Sequence, residues 1–291
     1  MRFRSALALV LAAACGGNAE VEGLVATPSG AVFVRSRGKG PHVVLLHGLG
    51  DSSVGWRKVE GRLRDAGYRV TVWDALGAGR SDKPADGDYR LVAHVARLGT
   101  VLDGLGGERV TLFGHSLGGA VALLYALDHR DRVERLVLIS PAAYAEGGWT
   151  GDWIWRLPVT GTLQTLPPEG IADLALRVNF GDPSRITAED RAVYAAEAAR
   201  PGTIAAFVLQ QQQLMPEPEQ VRAWIARYRE LKMPTLILWG TRDAVLDPAL
   251  GERLRSALPD ARLVPLEGVG HAAPLEAPDK VLAEVLAFLR T

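Results

Sequence analysis

The 291-residue sequence predicts an α/β protein with a mostly parallel central sheet, helices on both faces and a helical cap inserted late in the sheet. Short apolar runs such as Val43–Leu46 and Val110–Phe113 are typical of buried parallel strands. These runs alternate with helical segments, and such alternation builds a parallel sheet that is covered on both sides. The alternation stops from about residue 144 to residue 231, where the pattern is mainly helical and punctuated by prolines.

In the first half of the chain, a short Gly/Asn tether leads to an early strand at Val32–Val34. Strands and helices then follow one another in strict alternation. In order, we expect a strand at 43–46, a helix at about 54–66, a strand at 70–73, a helix at about 91–105, a strand at 110–113, a helix at 116–128 and a strand at 136–139. This half therefore supplies most of the sheet.

The second half returns to the same pattern after the helical stretch. We expect a strand at Thr235–Trp239, a helix after Pro248, a strand at Arg262–Val264 and a closing helix after Pro278. Because these elements continue one sheet, we interpret residues 144–231 as a cap inserted into a single core domain. That core comprises residues 21–143 and 232–291.

The composition excludes several classes of function. Lysine plus arginine and aspartate plus glutamate both number 33, and no basic run with interleaved aromatic residues occurs, so nothing favours a nucleic-acid partner. The stretch Gly77-Ala78-Gly79 resembles part of a dinucleotide fingerprint, but Asp82 stands where the third glycine is required. The sequence has no phosphate loop or zinc-ligand spacing. We therefore predict no cofactor and no metal.

Residues 1–15 are typical of an export signal. Met1–Arg4 is positively charged, and Ala6–Ala14 is an apolar stretch too short to span a bilayer. Cys15, the only cysteine, follows directly. The segment resembles a bacterial lipoprotein signal, in which this cysteine is lipidated after cleavage, although Ala12 stands where leucine is usual. An ordinary secretory signal cut near Ala14 is the alternative, and both interpretations predict export to the membrane or periplasm.

The pentapeptide Gly114-His115-Ser116-Leu117-Gly118 predicts a catalytic nucleophile. A Gly-x-Ser-x-Gly match alone is a weak signal, but this one follows a predicted buried strand and opens a predicted helix, as the motif requires. Flanking glycines let the strand and helix approach, and a strained turn projects the middle side chain at the carboxyl edge of the sheet. We predict that Ser116 is the nucleophile.

A serine hydroxyl needs a base, and the base needs an orienting acid. His271 lies in the loop after the last predicted strand, at the same edge as Ser116, and is the predicted base. Asp243 follows the strand that ends at Trp239-Gly240 and is the predicted acid, with Asp247 its nearest rival. The other histidines suit structural roles: His42 begins a strand, His47 would brace a glycine loop, His94 and His129 lie on helices in solvated or capping positions, and His115 should point away from Ser116.

The tetrahedral intermediate of acyl transfer needs hydrogen-bond donors that strengthen as negative charge develops. The backbone N–H of Leu117, directly after the nucleophile, is one candidate. The second should come from the loop after the strand at Val43–Leu46, which points to the N–H of Leu49. These two residues are the predicted oxyanion hole.

Taken together, these motifs resemble the α/β-hydrolase family across nearly all of residues 21–291. Further stretches common in that family are His47-Gly48, the run from Asp74 to Asp82, and Gly270-His271 followed by Glu276 and Pro278. The order Ser116, Asp243, His271 is the one expected there. The resemblance implies that a serine nucleophile separates this chain from the dehalogenase and epoxide-hydrolase branches. Esterases, lipases, carbon–carbon bond hydrolases, prolyl aminopeptidases and cofactor-free haloperoxidases all use serine.

The cap should decide among these branches. Near its start it carries the apolar residues Trp149, Trp153, Ile154, Trp155 and Leu157. They predict either an apolar lid over a hydrophobic substrate or simply the packed interior of the cap. An exported location fits ester hydrolysis, so we predict a serine carboxylesterase or lipase that acts on a hydrophobic ester through an acyl-enzyme. The sequence leaves the oligomeric state open.

Two rival functions stay open at this point. One is a carbon–carbon bond hydrolase or a prolyl aminopeptidase of the same fold. For an aminopeptidase, Glu189, Asp190 and Glu197 are the cap acids that could bind a free amine, unless they form a solvated helix face. The other rival is a non-catalytic ligand-binding protein on the fold, against which the predicted triad argues.

Overall fold

The computed structural model describes residues 20–143 and 165–290. Within them, the strands are β1 (Val21–Thr27), β2 (Gly30–Arg37), β3 (His42–Leu46), β4 (Arg69–Asp74), β5 (Val110–His115), β6 (Val133–Ile139), β7 (Thr235–Gly240) and β8 (Ala261–Leu266). They form one sheet in the order β1-β2-β4-β3-β5-β6-β7-β8. Strands β3 to β8 run parallel, whereas β2 is antiparallel to both β1 and β4. The predicted fold class is confirmed.

The helices of the core are α1 (Glu60–Asp65), α2 (Leu91–Gly104), α3 (Leu117–Asp128), α8 (Ala249–Ala257), α9 (Ala273–Glu276) and α10 (Pro278–Leu289). Between β6 and β7 lie α4 (Pro168–Asn179), α5 (Ala188–Ala198), α6 (Thr203–Gln213) and α7 (Pro218–Arg227), called the inserted helices below. Short 3₁₀ turns occupy Ser53–Trp56, Arg130–Arg132, Pro183–Arg185 and Tyr228–Glu230.

The sheet separates two hydrophobic layers. Along β3, Val44 and Leu46 pack into one layer while Val43 and Leu45 pack into the other, as the two-residue period of a strand requires. Helices α2, α3 and α8 cover the first face, and α1 and α10 cover the second. Strands β3, β5 and β7 are buried along their whole length, which explains why their sequences are continuous apolar runs rather than alternating ones.

Two elements differ from the sequence prediction. Strand β1 falls in a stretch for which no strand was predicted, because only Val25 of its seven residues is buried and the apolar pattern is faint. It is fixed instead by pairing, with Val21 opposite Ser36 and Thr27 opposite Gly30. The helix predicted at 54–66 is divided into the 3₁₀ turn at Ser53–Trp56 and the separate helix α1.

The inserted helices join the core through their own local signals. Helix α4 begins with Pro168, and α5 has a capping box in which the Thr187 side chain and the Asp190 side chain each accept from the other's backbone N–H. Gly202, with φ of 80°, lets the chain turn into α6. The predicted limits of the cap, 144 and 231, stay predictions.

Several sequence predictions fall outside the described residues. These are the export signal with Cys15, and the apolar cluster Trp149, Trp153, Ile154, Trp155 and Leu157. In the ranges 20–143 and 165–290, none of the helices combines the length and apolar character needed to cross a bilayer.

Candidate active site

Ser116 occupies a strained turn between β5 and α3. Its backbone has φ of 51° and ψ of −117°, which a residue with a Cβ rarely adopts, and it is one of three non-glycine residues with positive φ in the described chain. The flanking glycines make the turn possible. A Cβ on Gly114 would lie 2.5 Å from the Gly118 carbonyl oxygen, and one on Gly118 would lie 2.1 Å from that of Leu46. The predicted strand-turn-helix is therefore present, and it aims Ser116 at the carboxyl edge of the sheet.

His271 and Asp243 form a buried hydrogen-bonded pair at the same edge. The Nδ1 of His271 lies 2.8 Å from Oδ2 of Asp243, and both side chains are almost fully buried. The other carboxylate oxygen, Oδ1, accepts from the backbone N–H groups of Val245 and Leu246, each at 2.9 Å. With both oxygens engaged, Asp243 can hold the His271 ring in one orientation.

The charge state of Asp243 follows from these contacts. Burial alone would raise the pKa of this carboxyl. The adjacent His271 and the N–H of Leu246 outweigh burial and hold the pKa of Asp243 below its ordinary value. An ionised Asp243 accepts a hydrogen bond from the N–H at Nδ1 of His271, which leaves Nε2 as the ring nitrogen that can accept a proton. The rival acid, Asp247, instead accepts from the N–H of Ala249 at the start of α8.

Two more histidines brace the loops around this pair. The backbone N–H of Ala75 donates to Nε2 of His47 at 2.9 Å, so Nδ1 carries the proton and donates to the Gly48 carbonyl at 2.7 Å. This bracing matches the role that the sequence predicted for His47. His115 donates from Nε2 to the carbonyl of His271 at 2.9 Å, and burial lowers the pKa of its ring to about 3, so it is neutral.

The histidine on α2 corrects the sequence prediction. His94 was expected in a solvated or capping position, but it is fully buried beneath the sheet. Burial lowers the pKa of its ring to about 3. The sequence did not reveal this burial. The neighbours of His94 on α2 are also apolar, so the pattern does not show which face of the helix packs inward.

The predicted oxyanion donors belong to the residue after Ser116 and to the loop after β3. Leu117 is the first residue of α3, where the backbone N–H has no acceptor within the helix. Leu49 lies in the loop after β3, between Gly48 and Gly50, and both Leu49 and Ser116 line the same cavity. Within the described part of the chain, neither N–H donates to another residue. Both are therefore available to a developing anion.

The stretch from Asp74 to Asp82 is a tight turn that supports the same edge. The carboxylate of Asp74 accepts from the N–H of Ser53 at 2.7 Å and from the N–H of Arg80 at 2.8 Å. Gly79 has φ of 48°, and a Cβ there would lie 2.2 Å from Asp74 Oδ2. Close packing against a carboxylate, rather than room for a phosphate, explains this glycine.

Glu276 joins the His271 loop to the inserted helices, a role that the sequence did not reveal. Its side chain is fully buried and accepts from the backbone N–H of Gly270 at 2.7 Å, next to His271. It also accepts from the N–H groups of Gly181 and Asp182, at 2.9 and 3.0 Å, at the end of α4. The guanidinium of Arg185 completes the set at 3.1 Å. One carboxylate thus anchors two chain segments together.

A cavity of about 260 Å³ lies between the sheet edge and the inserted helices. Ser116, His271 and the loop around Leu49 form its floor. Its walls are mainly apolar, and they come from α4 and α6; the principal side chains are Ile171, Leu174, Ala175, Val178, Ile204 and Phe207. Among the described lining residues, the ionisable groups besides the two histidines are Asp51, Tyr194 and Glu197, and no lysine or arginine is present. The described residues also include no cluster of three or more side chains suited to a metal ion.

The three acids considered for an amine site lie in three different surroundings. Asp190 is fully buried and pairs with Arg57 and with Lys58, the latter at 2.9 Å. It is neither solvated nor directed at the cavity. Glu197 does line the cavity, where it accepts from Arg200 at 2.8 Å and from the Ser52 hydroxyl at 3.0 Å. Glu189 is exposed and lies outside the cavity lining.

The chain is similar to a family model, to curated relatives and to solved structures. A family model described as the α/β-hydrolase fold matches residues 41–175. A 2-hydroxy-6-oxononadienedioate/2-hydroxy-6-oxononatrienedioate hydrolase of Comamonas testosteroni is 30% identical, over 89% of this chain and 91% of the relative. Lipase 1 of Psychrobacter immobilis is 29% identical, over 86% and 77%. The structure of an esterase from Exiguobacterium antarcticum superposes with a TM-score of 0.78 at 22% identity, covering 90% and 96% of the two chains.

Proposed function

The chain belongs to the α/β-hydrolase fold family and is a hydrolase, and from that premise we propose that it is a serine carboxylesterase or lipase acting on an uncharged, hydrophobic ester. One observation carries the proposal: Ser116 in its strained turn and the His271–Asp243 pair open into one mainly apolar cavity. The sequence similarity to Lipase 1 supports it.

In the proposed first half-reaction, Nε2 of His271 accepts the proton of the Ser116 hydroxyl as Oγ attacks the ester carbonyl carbon. The carbonyl π electrons move to its oxygen, which the N–H groups of Leu49 and Leu117 stabilise. Asp243 stabilises the imidazolium that forms. The carbon–oxygen bond to the alcohol then breaks, His271 gives its proton to the alcohol, and the acyl group stays on Oγ.

The second half-reaction reverses these roles with water. His271 takes a proton from water, and the hydroxide attacks the acyl carbon to form a second oxyanion at the same donors. This intermediate collapses by breaking the bond to Ser116 Oγ, which recovers its proton from His271. The products are a carboxylic acid and the free serine, and no cofactor is required.

The charges around the cavity favour this substrate class over the carbon–carbon bond hydrolase alternative. The C. testosteroni relative is named for a dicarboxylate substrate, which calls for cationic partners. Among the described lining residues this cavity presents the carboxylates of Asp51 and Glu197 and no cation. With no cation in the described lining to pair with it, the carboxylate of an anionic substrate would lose its hydration without compensation.

The aminopeptidase alternative has weaker support for a similar reason. Of the three cap acids considered, Asp190 is held by Arg57 and Lys58, and Glu197 by Arg200 and Ser52. A carboxylate that already has a cationic partner attracts a substrate amine less strongly. An uncharged ester makes no such demand on either residue.

We also propose that the inserted helices are a cap that shapes the substrate cavity, and that the protein is exported. The N-terminal 15 residues support export, and Cys15 supports a lipid anchor rather than a secretory signal cut near Ala14. Mass spectrometry of the mature protein from membranes tests this. A diacylated N-terminal cysteine is expected, and an unmodified N-terminus near Cys15 would contradict the anchor.

The central experiment replaces the nucleophile. Ser116→Ala should lower the turnover of p-nitrophenyl hexanoate by at least about 10³-fold without a loss of thermal stability. Ser256→Ala, an exposed serine on α8, is the matched control and should keep full activity. Retained activity in Ser116→Ala would sink the proposal. Failure of the wild-type protein to react with a fluorophosphonate probe would instead favour a non-catalytic binding protein.

A second experiment tests the charge of the substrate. The wild-type enzyme should prefer p-nitrophenyl hexanoate over the mono-p-nitrophenyl ester of adipic acid, which adds one carboxylate to a chain of the same length. We expect a ratio in kcat/KM of at least about 10. Equal rates would contradict an electrostatic preference. Faster cleavage of a vinylogous diketone than of either ester would favour the carbon–carbon bond hydrolase.

A further inference from the structure

Helix α5 contacts the loop after β3, which carries the predicted oxyanion donor Leu49, through a row of polar side chains. Asp190, Tyr194 and Glu197 of α5 are spaced four and three residues apart and so share one helix face. All three contact the segment 51–58: Asp190 pairs with Arg57 and Lys58, the hydroxyl of Tyr194 donates to Asp51, and Glu197 accepts from Ser52. The helix comes from a part of the chain more than 130 residues away.

The contact between Tyr194 and Asp51 lies two residues from the oxyanion donor Leu49. The Tyr194 hydroxyl donates to Oδ1 of Asp51 at 2.9 Å, and the same oxygen accepts from the N–H of Ser52 at 2.8 Å. The N–H of Asp51 donates back to the carbonyl of Gly48 at 3.3 Å. These bonds close a turn over Gly48–Asp51, and Leu49 lies inside it.

A second inserted helix restrains the tip of that turn. Gly50 has φ of 72°, a conformation that glycine adopts without strain. A Cβ at this position would lie 2.9 Å from the ring carbon Cε2 of Phe207 on α6. The turn is therefore restrained by Tyr194 through Asp51 and by the ring of Phe207 at Gly50. Position 50 needs glycine both for its positive φ and for its close contact with that ring.

The ionisation behaviour of the pair keeps the hydrogen bond in one direction. Burial, with the nearby Asp51, raises the pKa of the Tyr194 hydroxyl well above its ordinary value, so the phenol stays a donor. Oδ1 of Asp51 receives two donors and remains an acceptor in either protonation state of the other oxygen. The contact therefore persists across the neutral pH range.

From this geometry we propose that Tyr194 and Asp51 are positioning residues that hold the Leu49 N–H where the oxyanion forms. The inference rests on the proposed serine-hydrolase function. It assigns α5 a part in stabilising the transition state in addition to enclosing the substrate. Neither residue transfers a proton or forms a bond to the substrate in this role.

The test compares two tyrosines from the region between β6 and β7 whose hydroxyls each donate a hydrogen bond of 2.9 Å. Tyr194→Phe removes the donor to Asp51. Tyr228→Phe removes a donor to the carbonyl of Ala143 at 2.9 Å, which lies outside the cavity lining. Tyr194→Phe should lower kcat for p-nitrophenyl hexanoate about tenfold with little change in KM, since a misplaced donor costs less than a deleted one. Tyr228→Phe should leave kcat unchanged.

An inhibitor pair separates positioning from general loosening of the fold. A trifluoromethyl ketone adds to the serine and forms an oxyanion, whereas the corresponding methyl ketone measures ground-state binding. Tyr194→Phe should weaken the first by the same factor as kcat and leave the second unchanged. Equal weakening of both inhibitors, or equal effects of the two tyrosine variants, would overturn the inference.

Variants of Asp51 test the partner. Asp51→Asn keeps an oxygen that can accept from Tyr194 and Ser52 and should retain nearly full kcat, whereas Asp51→Ala should lose at least as much as Tyr194→Phe. If Asp51→Asn is as impaired as Asp51→Ala, the hydrogen bond is not the cause and the inference fails. Ser116→Ala measured in parallel keeps the questions apart, because retained activity there would refute the proposed function itself.

Discussion

The sheet edge and the inserted helices meet at one cavity but are held together in different ways. Strands β3, β5 and β7 are buried at every residue, and α3 buries eleven of its twelve. By contrast, α5 buries only Asp190 and α7 only Val221. The edge owes its shape to backbone packing and buried apolar side chains. Helix α5 is attached mainly by polar side chains, including Asp190 and Tyr194, whereas α4 and α6 also contribute apolar residues such as Leu176 and Ala206 to the buried clusters.

This difference teaches which changes each region can accept. Where backbone packs on backbone at the elbow, a single added methyl group has no room. The inserted helices are attached to the core by side-chain contacts. Apolar side chains that line the cavity can therefore be substituted without disturbing those contacts. In the proposed function, the chemistry therefore resides at the sheet edge, and the substrate preference in the inserted helices.

The largest expected effect compares one glycine from each region. Gly118→Ala places a Cβ 2.1 Å from the Leu46 carbonyl oxygen, and neither backbone can move without breaking the sheet. We expect the melting temperature to fall by about 5 °C or more, since overpacking costs roughly 3 kcal/mol and this clash is with backbone. Differential scanning calorimetry, with activity measured on the soluble fraction, checks it.

The matched control is Gly170→Ala in the first turn of α4, where the nearest atoms to an added Cβ are 3.5 Å away or more. Alanine favours the helix over glycine by up to about 1 kcal/mol, so the melting temperature should rise by about 2 °C. A similar loss of stability in both variants would remove the distinction between the two regions.

A second prediction concerns the ion pairs that attach the inserted helices. Asp190 is fully buried and pairs with Arg57 and Lys58 of the core, besides capping α5. Asp190→Ala should destabilise the protein by about 3 kcal/mol, because it removes a helix cap and leaves two partly buried cations without their anion. This corresponds to roughly 5 °C in melting temperature.

Asp173 of α4 is the matched control, because it also pairs with two cations, Arg177 and Arg191, but its side chain is 38% exposed. Asp173→Ala should leave the melting temperature unchanged within error, as expected for solvated ion pairs. If the two aspartate variants behave alike, buried charge is not what attaches the inserted helices.

The third prediction concerns the pH dependence of stability. The three buried histidines with a lowered pKa, His42, His94 and His115, lie outside residues 144–231, so their titration reports on the core. Burial, with the charge of Arg97, lowers the pKa of His94 to about 3, whereas an unfolded histidine titrates near pH 6.5. Between these values the unfolded chain binds a proton that the folded chain does not. Stability should therefore fall as the pH drops from about 6.5 toward 4.

Thermal melts from pH 7.5 to 4.5 measure this slope. His94→Leu removes one of the three buried rings with strongly lowered pKa, the others being His42 and His115, and should make the slope shallower without abolishing it. Val92→Ala, which changes an exposed and non-ionisable residue of the same helix, is the control and should leave the slope unchanged. An unchanged slope in His94→Leu would show that acid sensitivity arises elsewhere.

The sequence by itself determined the fold class, because strand and helix periods are local properties and the strands of a parallel sheet are continuous apolar runs. It also determined where to look for Ser116, Asp243 and His271, since each follows directly on a strand whose end lies at one edge of the sheet. The structure brings His271 and Asp243 together at 2.8 Å, and it lines one cavity with His271 and Ser116.

Only the tertiary structure decided the roles of residues whose partners are distant in the chain. In the sequence, Glu276 resembles an ordinary helix residue. The structure shows that its carboxylate accepts from the N–H groups of Gly270, Gly181 and Asp182. In the sequence, Asp190 resembles a solvated acid, and only the packing of α5 against the core shows its pairing with Arg57. The apolar pattern of β1 is too weak to predict a strand without its pairing to β2. The physical reason is the same in each case. Periodicity records which side of an element is buried, but the identity of a polar partner depends on how separate elements pack, and that information is not local.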